Sequence, residues 1–184
     1  MTRDEALNLV NQKIQTKNLV YHCLTVEAVM RGLAKYFGED KDKWGLAGLL
    51  HDIDYEETKQ DMHAHSKLGS EMLKKLGVDE DICNAVLKHN EAHGIAPKTQ
   101  LEKALFVADP ITGLIVAATL VLPCKKLADL TVENVLNRFK EKSFAKGANR
   151  EIINQCEPLL HLPLEKFVEI SLKSMQEIAQ EIGL

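Results

Sequence analysis

A histidine and an aspartate stand side by side at His51-Asp52, directly after the apolar run 46–50. Neighbouring positions on a helix point about 100° apart, so the two side chains could grip one ion only if it lay beside the helix. An imidazole and a carboxylate together suit Mn, Fe, Co, Zn or Mg rather than a thiolate site. The alternative is a helix end at which Asp52 accepts a hydrogen bond and His51 is half buried. The dipeptide alone favours that alternative.

Four further elements of the sequence carry a histidine or an aspartate. The segment His-Cys-Leu-Thr-Val begins at His22, and His-Ser-Lys-Leu-Gly begins at His65. Ala-Val-Leu-Lys-His ends at His89, and Ala-Asp ends at Asp109. Together with Leu-Leu-His-Asp-Ile, these elements resemble in type and order the signature of the HD superfamily of metal-dependent phosphohydrolases. Five elements in the right order make a strong signal, whereas each alone would be weak.

The resemblance implies a metal site built from six side chains. The primary ion would be held by two imidazoles and two carboxylates, namely His22, His51, Asp52 and Asp109. Relatives with two metals use an extra pair for the second ion, here His65 and His89, with Asp52 as the bridge. The expected cofactor is therefore one or two divalent ions of Mn, Fe, Co, Zn or Mg, and the ligand types do not choose among these metals.

For such a site the resemblance implies a phosphohydrolase that cleaves a phosphomonoester or a phosphodiester by metal-activated water, with a nucleotide as the expected substrate. The same ligands also resemble those of di-iron HD oxygenases such as inositol oxygenase, a different reaction class. A third alternative is a non-catalytic nucleotide-binding regulatory module, against which the complete ligand set weighs. Phosphate release with Mn or Co would favour hydrolysis, and mixed-valent iron with oxygen uptake would favour oxygenation.

Acidic residues follow the His-Asp pair at the place where many relatives carry Gly-Lys. This chain has Asp54-Tyr55 there, so a role for that lysine does not transfer. Asp54, or second to it Glu56, is the candidate general base that would take a proton from the attacking water. The alternative is a solvated acidic loop, which is the favoured interpretation for Glu57 and Asp61.

A basic stretch covers residues 138–150. Arg138, Lys142, Lys146 and Arg150 recur every fourth residue, so they share one face if the stretch is helical. The functional hypothesis is a phosphate clamp over the cleft, formed by Lys142, Lys146 and Arg150. The alternative is a solvated basic face, which the pattern alone favours.

Composition places the chain among ordinary globular proteins. Of its 184 residues, 45% are hydrophobic and 27% are charged, with no repeat, linker or low-complexity tract. We expect a single all-α domain, a helical bundle of the HD type, over residues 1–184. Residues 19–122 would form the metal-site core, and the C-terminal helices of 131–184 would pack on it.

Charge and cysteine usage bear on the compartment and the partners. Four scattered cysteines without a C-x-x-C pair and an N-terminus without an export signal predict a reducing, cytoplasmic location. The apolar run 111–122 is too short to span a bilayer, so no membrane partner is expected; it is either a core element or part of a homodimer face. The net charge of −4 gives no general attraction to nucleic acid, and nucleic acid is not expected as a partner. The expected partner is a small phosphorylated substrate.

Caps and apolar spacing predict nine helices. Their approximate bounds are 3–17, 19–37, 41–52, 64–76, 80–90, 100–109, 111–122, a helix from 132 into the basic stretch, and 164–182. Pro110 predicts a kink or break, and the alternative to ligation for Asp109 is to cap the helix that follows. His63 is expected to be exposed, and His93 to be a last-turn histidine favoured by the helix dipole.

Overall fold

Every regular element of the chain is a helix. The computed structural model describes residues 1–184 and contains twelve α-helices, two 3-10 turns and no strand, which confirms the all-α prediction. The helices are α1 (Arg3–Lys13), α2 (Lys17–Phe37), α3 (Lys41–Leu50), α4 (Tyr55–Thr58), α5 (Lys67–Lys75), α6 (Glu80–His89), α7 (Gln100–Leu120), α8 (Val132–Lys140), α9 (Arg150–Ile153), α10 (Cys156–Leu160), α11 (Leu164–Glu177) and α12 (Ala179–Ile182). The 3-10 turns are Glu91–His93 and Leu127–Asp129.

Local capping signals start the helices where the sequence places them. Thr2 and Thr99 each form a capping box, with Glu5 and Glu102 respectively, at the N-termini of α1 and α7. Thr131 does the same for α8. Each threonine hydroxyl satisfies an amide that has no partner within its own helix, which stabilises the first turn by about 1 kcal/mol.

The long helix α7 continues through Pro110, so of the kink or break predicted there, the break does not occur. A proline inside a helix leaves one carbonyl of the preceding turn without its partner, at a cost of about 3 kcal/mol. Tertiary packing outweighs that cost, because α7 packs against seven other helices and twelve of its residues are buried. By length and mean hydropathy, 1.6, α7 could also cross a membrane, but here it runs through the core. The cytoplasmic location and the homodimer stay predictions.

Helices α2 and α3 approach each other closely at Gly48. A Cβ atom at Gly48 would lie 2.8 Å from the carbonyl oxygen of Val26 and 2.9 Å from backbone atoms of Glu27. Only a glycine therefore lets the two backbones approach this closely. The approach brings the end of α3, with His51, next to His22 of α2.

The basic stretch does not form the helix that the spacing predicts. Helix α8 ends at Lys140, Glu141 is extended, and residues 142–147 are turns. The final predicted helix is also divided, because α11 ends at Glu177 and α12 begins at Ala179.

One hydrophobic cluster of 43 buried residues runs from Ala6 to Ile182. Helices α8 to α11 pack on α7, and α11 also packs on α2. The two central helices α2 and α7 are therefore held from both sides, and each carries a predicted metal ligand.

Candidate metal centre

Two histidines and an aspartate from three different helices meet at the centre of the fold. His22 Nε2 lies 3.2 Å from His51 Nε2 and 3.0 Å from Asp109 Oδ1. His51 Nε2 lies 3.8 Å from the same Asp109 oxygen. Three ligand atoms this close together could hold a metal ion.

Asp52 joins this group to a second one. Its Oδ1 lies 3.4 Å from His51 Nε2, 3.3 Å from His65 Nε2 and 3.4 Å from His89 Nε2. Its Oδ2 lies 3.7 Å from His22 Nε2. The fold thus brings together all six residues that the sequence pattern singled out, with Asp52 in the middle.

The Nδ1 atom of each of the four imidazoles has a hydrogen-bonding partner on the side away from the centre. His51 Nδ1 donates to the carbonyl of Gly48 at 2.8 Å, and His89 Nδ1 donates to that of Val86 at 2.6 Å. The Thr112 hydroxyl, which itself donates to a backbone carbonyl of α7, lies 3.2 Å from His22 Nδ1. An imidazole that donates through Nδ1 presents a lone pair at Nε2, so these contacts aim the ligand atoms at the centre.

Asp54 performs this orienting task for His65. Its Oδ1 accepts a hydrogen bond from His65 Nδ1 at 2.9 Å, and its Oδ2 accepts one from the amide of Gly69 at 2.8 Å. A Cβ at Gly69 would lie 3.1 Å from the Asp54 carboxylate carbon, so the glycine of His-Ser-Lys-Leu-Gly leaves room for this contact. Asp54 is 1% exposed. Both of its oxygens are used inside the protein, which fits a positioning role and leaves the predicted general base without a free oxygen.

The electrostatics of the cluster suit a cation. Burial lowers the pKa of His51 to about 4, so its ring is neutral and can bind metal near pH 7. Burial opposes charge on Asp52, but the surrounding imidazoles hold its pKa well below the usual range. Burial also opposes charge on His65, but hydrogen bonds to Asp52 and Asp54 outweigh it and raise the His65 pKa to about 9.

Lone pairs converge on the centre from several directions. Neutral Nε2 atoms of His22 and His51 only 3.2 Å apart repel each other unless a proton or a cation lies between them. Burial opposes a charge on His22, but its hydrogen bond to Asp109 outweighs burial and raises the His22 pKa. Without metal, a proton on His22 can therefore relieve this repulsion, and a divalent ion would replace that proton. The mixed imidazole and carboxylate donors therefore fit a divalent metal.

The centre opens on one side only. The side chains of His51, His65 and His89 are 0–4% exposed and that of Asp52 is 9% exposed, whereas His22 is 24% and Asp109 is 32% exposed. Solvent therefore reaches the centre between α2 and α7.

Glu56 lies away from this opening. Its carboxylate accepts hydrogen bonds from the amides of Gln15 at 2.6 Å and Thr16 at 2.9 Å, and from the Thr16 hydroxyl. It fastens the connection between α1 and α2, so the structure does not bring this predicted base to the cluster. Glu57 and Asp61 are exposed, as is His63.

The phosphate clamp was predicted from a shared helical face, and this face does not form. Arg150 donates to the backbone carbonyls of Ala145 at 2.6 Å and Ala148 at 2.8 Å, and to Phe144. This guanidinium closes the turns of its own segment. Lys142 and Lys146 lie exposed in those turns.

Two side chains that follow His89 hold the His65 loop, a role that the sequence did not predict for either. Asn90 donates to the carbonyls of Met62 at 2.7 Å and His65 at 3.2 Å. His93 Nε2 donates to the same His65 carbonyl at 2.8 Å, and its Nδ1 has no partner. His93 thus anchors a loop from a 3-10 turn, which corrects the predicted role at a helix end. Their position just after His89 was the available signal.

Comparison with protein families finds an HD domain at residues 19–113. The chain belongs to the HD domain family. This match confirms the resemblance on which the metal ligands were predicted. The HD domain family lies within the metal-dependent phosphohydrolase superfamily, so the coarse functional class follows as well.

Curated relatives of this HD domain protein bear the name Ribonuclease Y. They include proteins from Nitratidesulfovibrio vulgaris (34% identical over 142 residues), Lawsonia intracellularis (32% over 142) and Thermotoga maritima (31% over 148). The matches cover 74–77% of this chain but 27–28% of the relatives. The chain thus spans about a quarter of the length of the curated relatives it matches. No solved structure gives a significant match.

These relatives overturn one prediction. Nucleic acid was not expected as a partner because of the net charge of −4. The relatives are named as ribonucleases, and they align with three quarters of this chain. A charge summed over a whole chain does not describe the local field at a metal centre, so it does not exclude RNA as a substrate of an HD domain.

Proposed function

We propose that the chain is a metal-dependent phosphodiesterase that hydrolyses RNA. The observation that carries the proposal is the position of Asp52, whose carboxylate lies within 3.7 Å of the Nε2 atoms of all four clustered histidines. A carboxylate so placed suits a bridge between two ions. Membership of the HD domain family supports hydrolysis, and the ribonuclease relatives support an RNA substrate.

In this proposal His22, His51, Asp52 and Asp109 hold the first ion, and His65, His89 and Asp52 hold the second. A bound divalent ion supplies a Lewis acid for the phosphate oxygens and lowers the pKa of water. Asp109 is the most exposed ligand, and only its Oδ1 contacts the histidines. Its second oxygen is free to accept a hydrogen bond from water in the cleft. Asp54 keeps the His65 ring in place and takes no proton.

The test combines metal analysis with an RNA cleavage assay. Protein purified without a metal-affinity tag should contain about one or two divalent ions, and addition of Mn, Fe, Co, Zn or Mg to stripped protein should restore hydrolysis. Cleavage should proceed without oxygen, which separates hydrolysis from the oxygenase alternative. His65→Ala should lose metal and activity together.

His63→Ala is the matched control, because this exposed histidine lies two positions from His65 and outside the cluster. It should keep both metal and activity. Metal-loaded protein that binds RNA without cleaving it, under every metal, would overturn the proposal in favour of a regulatory module. Full metal content in His65→Ala would overturn the ligand assignment.

A further inference from the structure

A cavity of about 330 Å³ lies between α2, α7 and the C-terminal α12, beside the metal centre. It is lined on one side by Asn18 and Tyr21 and on the other by Gly113, Val116 and Leu120. Its volume is at the lower end of the range for small-molecule sites, which is about 300–1,000 Å³.

The cavity adjoins the open side of the metal centre at His22. His22, one of the two exposed ligands, forms part of its wall. On α7, Gly113 stands four residues after Asp109, and Val116 and Leu120 follow at helical spacing on the same face. A phosphate bound at the metals would therefore carry whatever is attached to it into this cavity.

The lining has the character of a site for a flat aromatic group with polar edges. Its walls combine aliphatic side chains with the Tyr21 ring and with the polar groups of Asn18, His22 and Thr25. Lys17 Nζ lies 5.2 Å from the centroid of the Tyr21 ring. The Asn18 side chain is exposed and makes no hydrogen bond within the protein, so its amide is free to read a polar edge. A Cβ atom at Gly113 would meet nothing within 4 Å, so the missing side chain leaves the cavity open.

From this placement we infer that the cavity is a nucleobase subsite, which binds the base attached to the phosphate at the metal centre. The inference rests on the proposed function, because it takes the substrate to be RNA. Tyr21 offers a ring for stacking, Asn18 a hydrogen-bonding amide, and Lys17 a positive charge for a neighbouring phosphate. Stacking is tolerant of sequence, so this subsite gives a preference for nucleotides over base-free phosphates rather than for one base.

The test compares a nucleotide with a sugar phosphate that lacks the base. Binding of adenosine 5′-monophosphate and of ribose 5-phosphate to Mn-loaded protein is measured by calorimetry. The wild-type protein should bind the nucleotide about tenfold or more tightly. Gly113→Val narrows the cavity and Tyr21→Leu removes the ring, and each should reduce this ratio to about one.

Two matched variants keep the test specific. Tyr21→Phe retains the ring, and Gly147→Val places the same side chain at an exposed glycine whose Cβ also meets nothing within 4 Å. Both should keep the tenfold ratio. Equal affinities for the two ligands in the wild-type protein, or a ratio that survives Gly113→Val with normal metal content, would overturn the subsite. A base preference without RNA cleavage would instead overturn the proposed function and leave the subsite standing.

Discussion

At the scale of single residues, the chemistry of the centre depends on which atoms remain free. Asp54 was a reasonable candidate base from its position two residues after Asp52. The fold uses both of its oxygens, one for the His65 ring and one for the Gly69 amide. Asp109 retains a free oxygen on the open side of the centre. The identity of a carboxylate is readable from a sequence, whereas the engagement of its oxygens is a property of the fold.

Asp54→Ala tests the positioning role of that carboxylate. Loss of the hydrogen bond to His65 should weaken metal binding by about 10- to 100-fold, because groups that orient a ligand ring typically contribute this much. Metal titration followed by kinetics at saturating Mn measures both effects. Excess metal should restore most of kcat. A general base would behave differently: metal affinity would be unchanged and no metal concentration would rescue kcat. Glu57→Ala, at an exposed acid of the same segment, serves as the control.

At the scale of helices, the ligands are positioned by close approaches and by caps. Gly48 allows α3 to approach α2, and this sets the distance between His51 and His22. Glu102 caps α7 and also accepts a hydrogen bond from Lys88 of α6 at 2.8 Å, which ties together the helices that carry His89 and Asp109.

Gly48→Ala should disturb both stability and the metal centre. The new methyl group would collide with backbone atoms of α2, which cannot move aside as a side chain would, so α3 must shift. We expect a loss of about 1–3 kcal/mol in the free energy of unfolding, measured in urea, together with weaker metal binding. Gly113→Ala should instead raise stability by about 0.5–1 kcal/mol, because it adds a methyl group to a helix without a clash. Equal stabilities of wild type and Gly48→Ala would contradict the close-approach argument.

The Glu102 carboxylate predicts a pH dependence of stability. Burial opposes its charge, but hydrogen bonds from Lys88 and from the amides of Lys98 and Thr99 outweigh it and lower its pKa below 4.5. A carboxylate whose pKa is lower in the folded than in the unfolded protein stabilises the folded state at pH values above its unfolded pKa. This stabilisation is lost as the pH falls through its folded pKa. Wild type should exceed Glu102→Gln by about 1–3 kcal/mol at pH 7, and the difference should shrink below pH 4.5 in urea unfolding curves. A difference that is constant with pH would show that the charge is not the cause.

Many of the helix starts and the order of the ligands could be predicted from the sequence, because capping boxes and ligand motifs depend on nearby residues. The capped starts of α1, α7 and α8 are examples. The unbroken path of α7 through Pro110 could not be predicted, since it depends on packing against helices distant in the chain. The same holds for the 138–150 stretch. The four-residue spacing of its basic residues fits a helix, but Arg150 donates hydrogen bonds to backbone carbonyls in turns instead.

At the scale of the whole molecule, the six clustered side chains come from positions 22 to 109 and meet inside one core. An ion among them would link α2, the end of α3, the turn before α5, α6 and α7. Metal binding and global folding are therefore coupled.

Metal should raise the thermal stability of the entire chain. At a free Mn concentration about 100 times Kd, binding to the folded state alone contributes about 2.7 kcal/mol. For a chain of this size that corresponds to a rise in Tm of about 5–10 °C, measured by calorimetry with and without a chelator. Asp52→Asn should show almost no shift, because it removes the central carboxylate. A Tm that does not respond to metal in the wild-type protein would contradict the coupling.

The carbonyls of Gly48 and Val86 that hold two of the rings lie one helical turn before the rings themselves. The rotamers of His51 and His89 are thus settled when their helices form. An arriving ion finds these two donors preorganised, so their side chains lose little conformational entropy when they bind it. Rotation of these two rings should then not limit the rate of metal uptake.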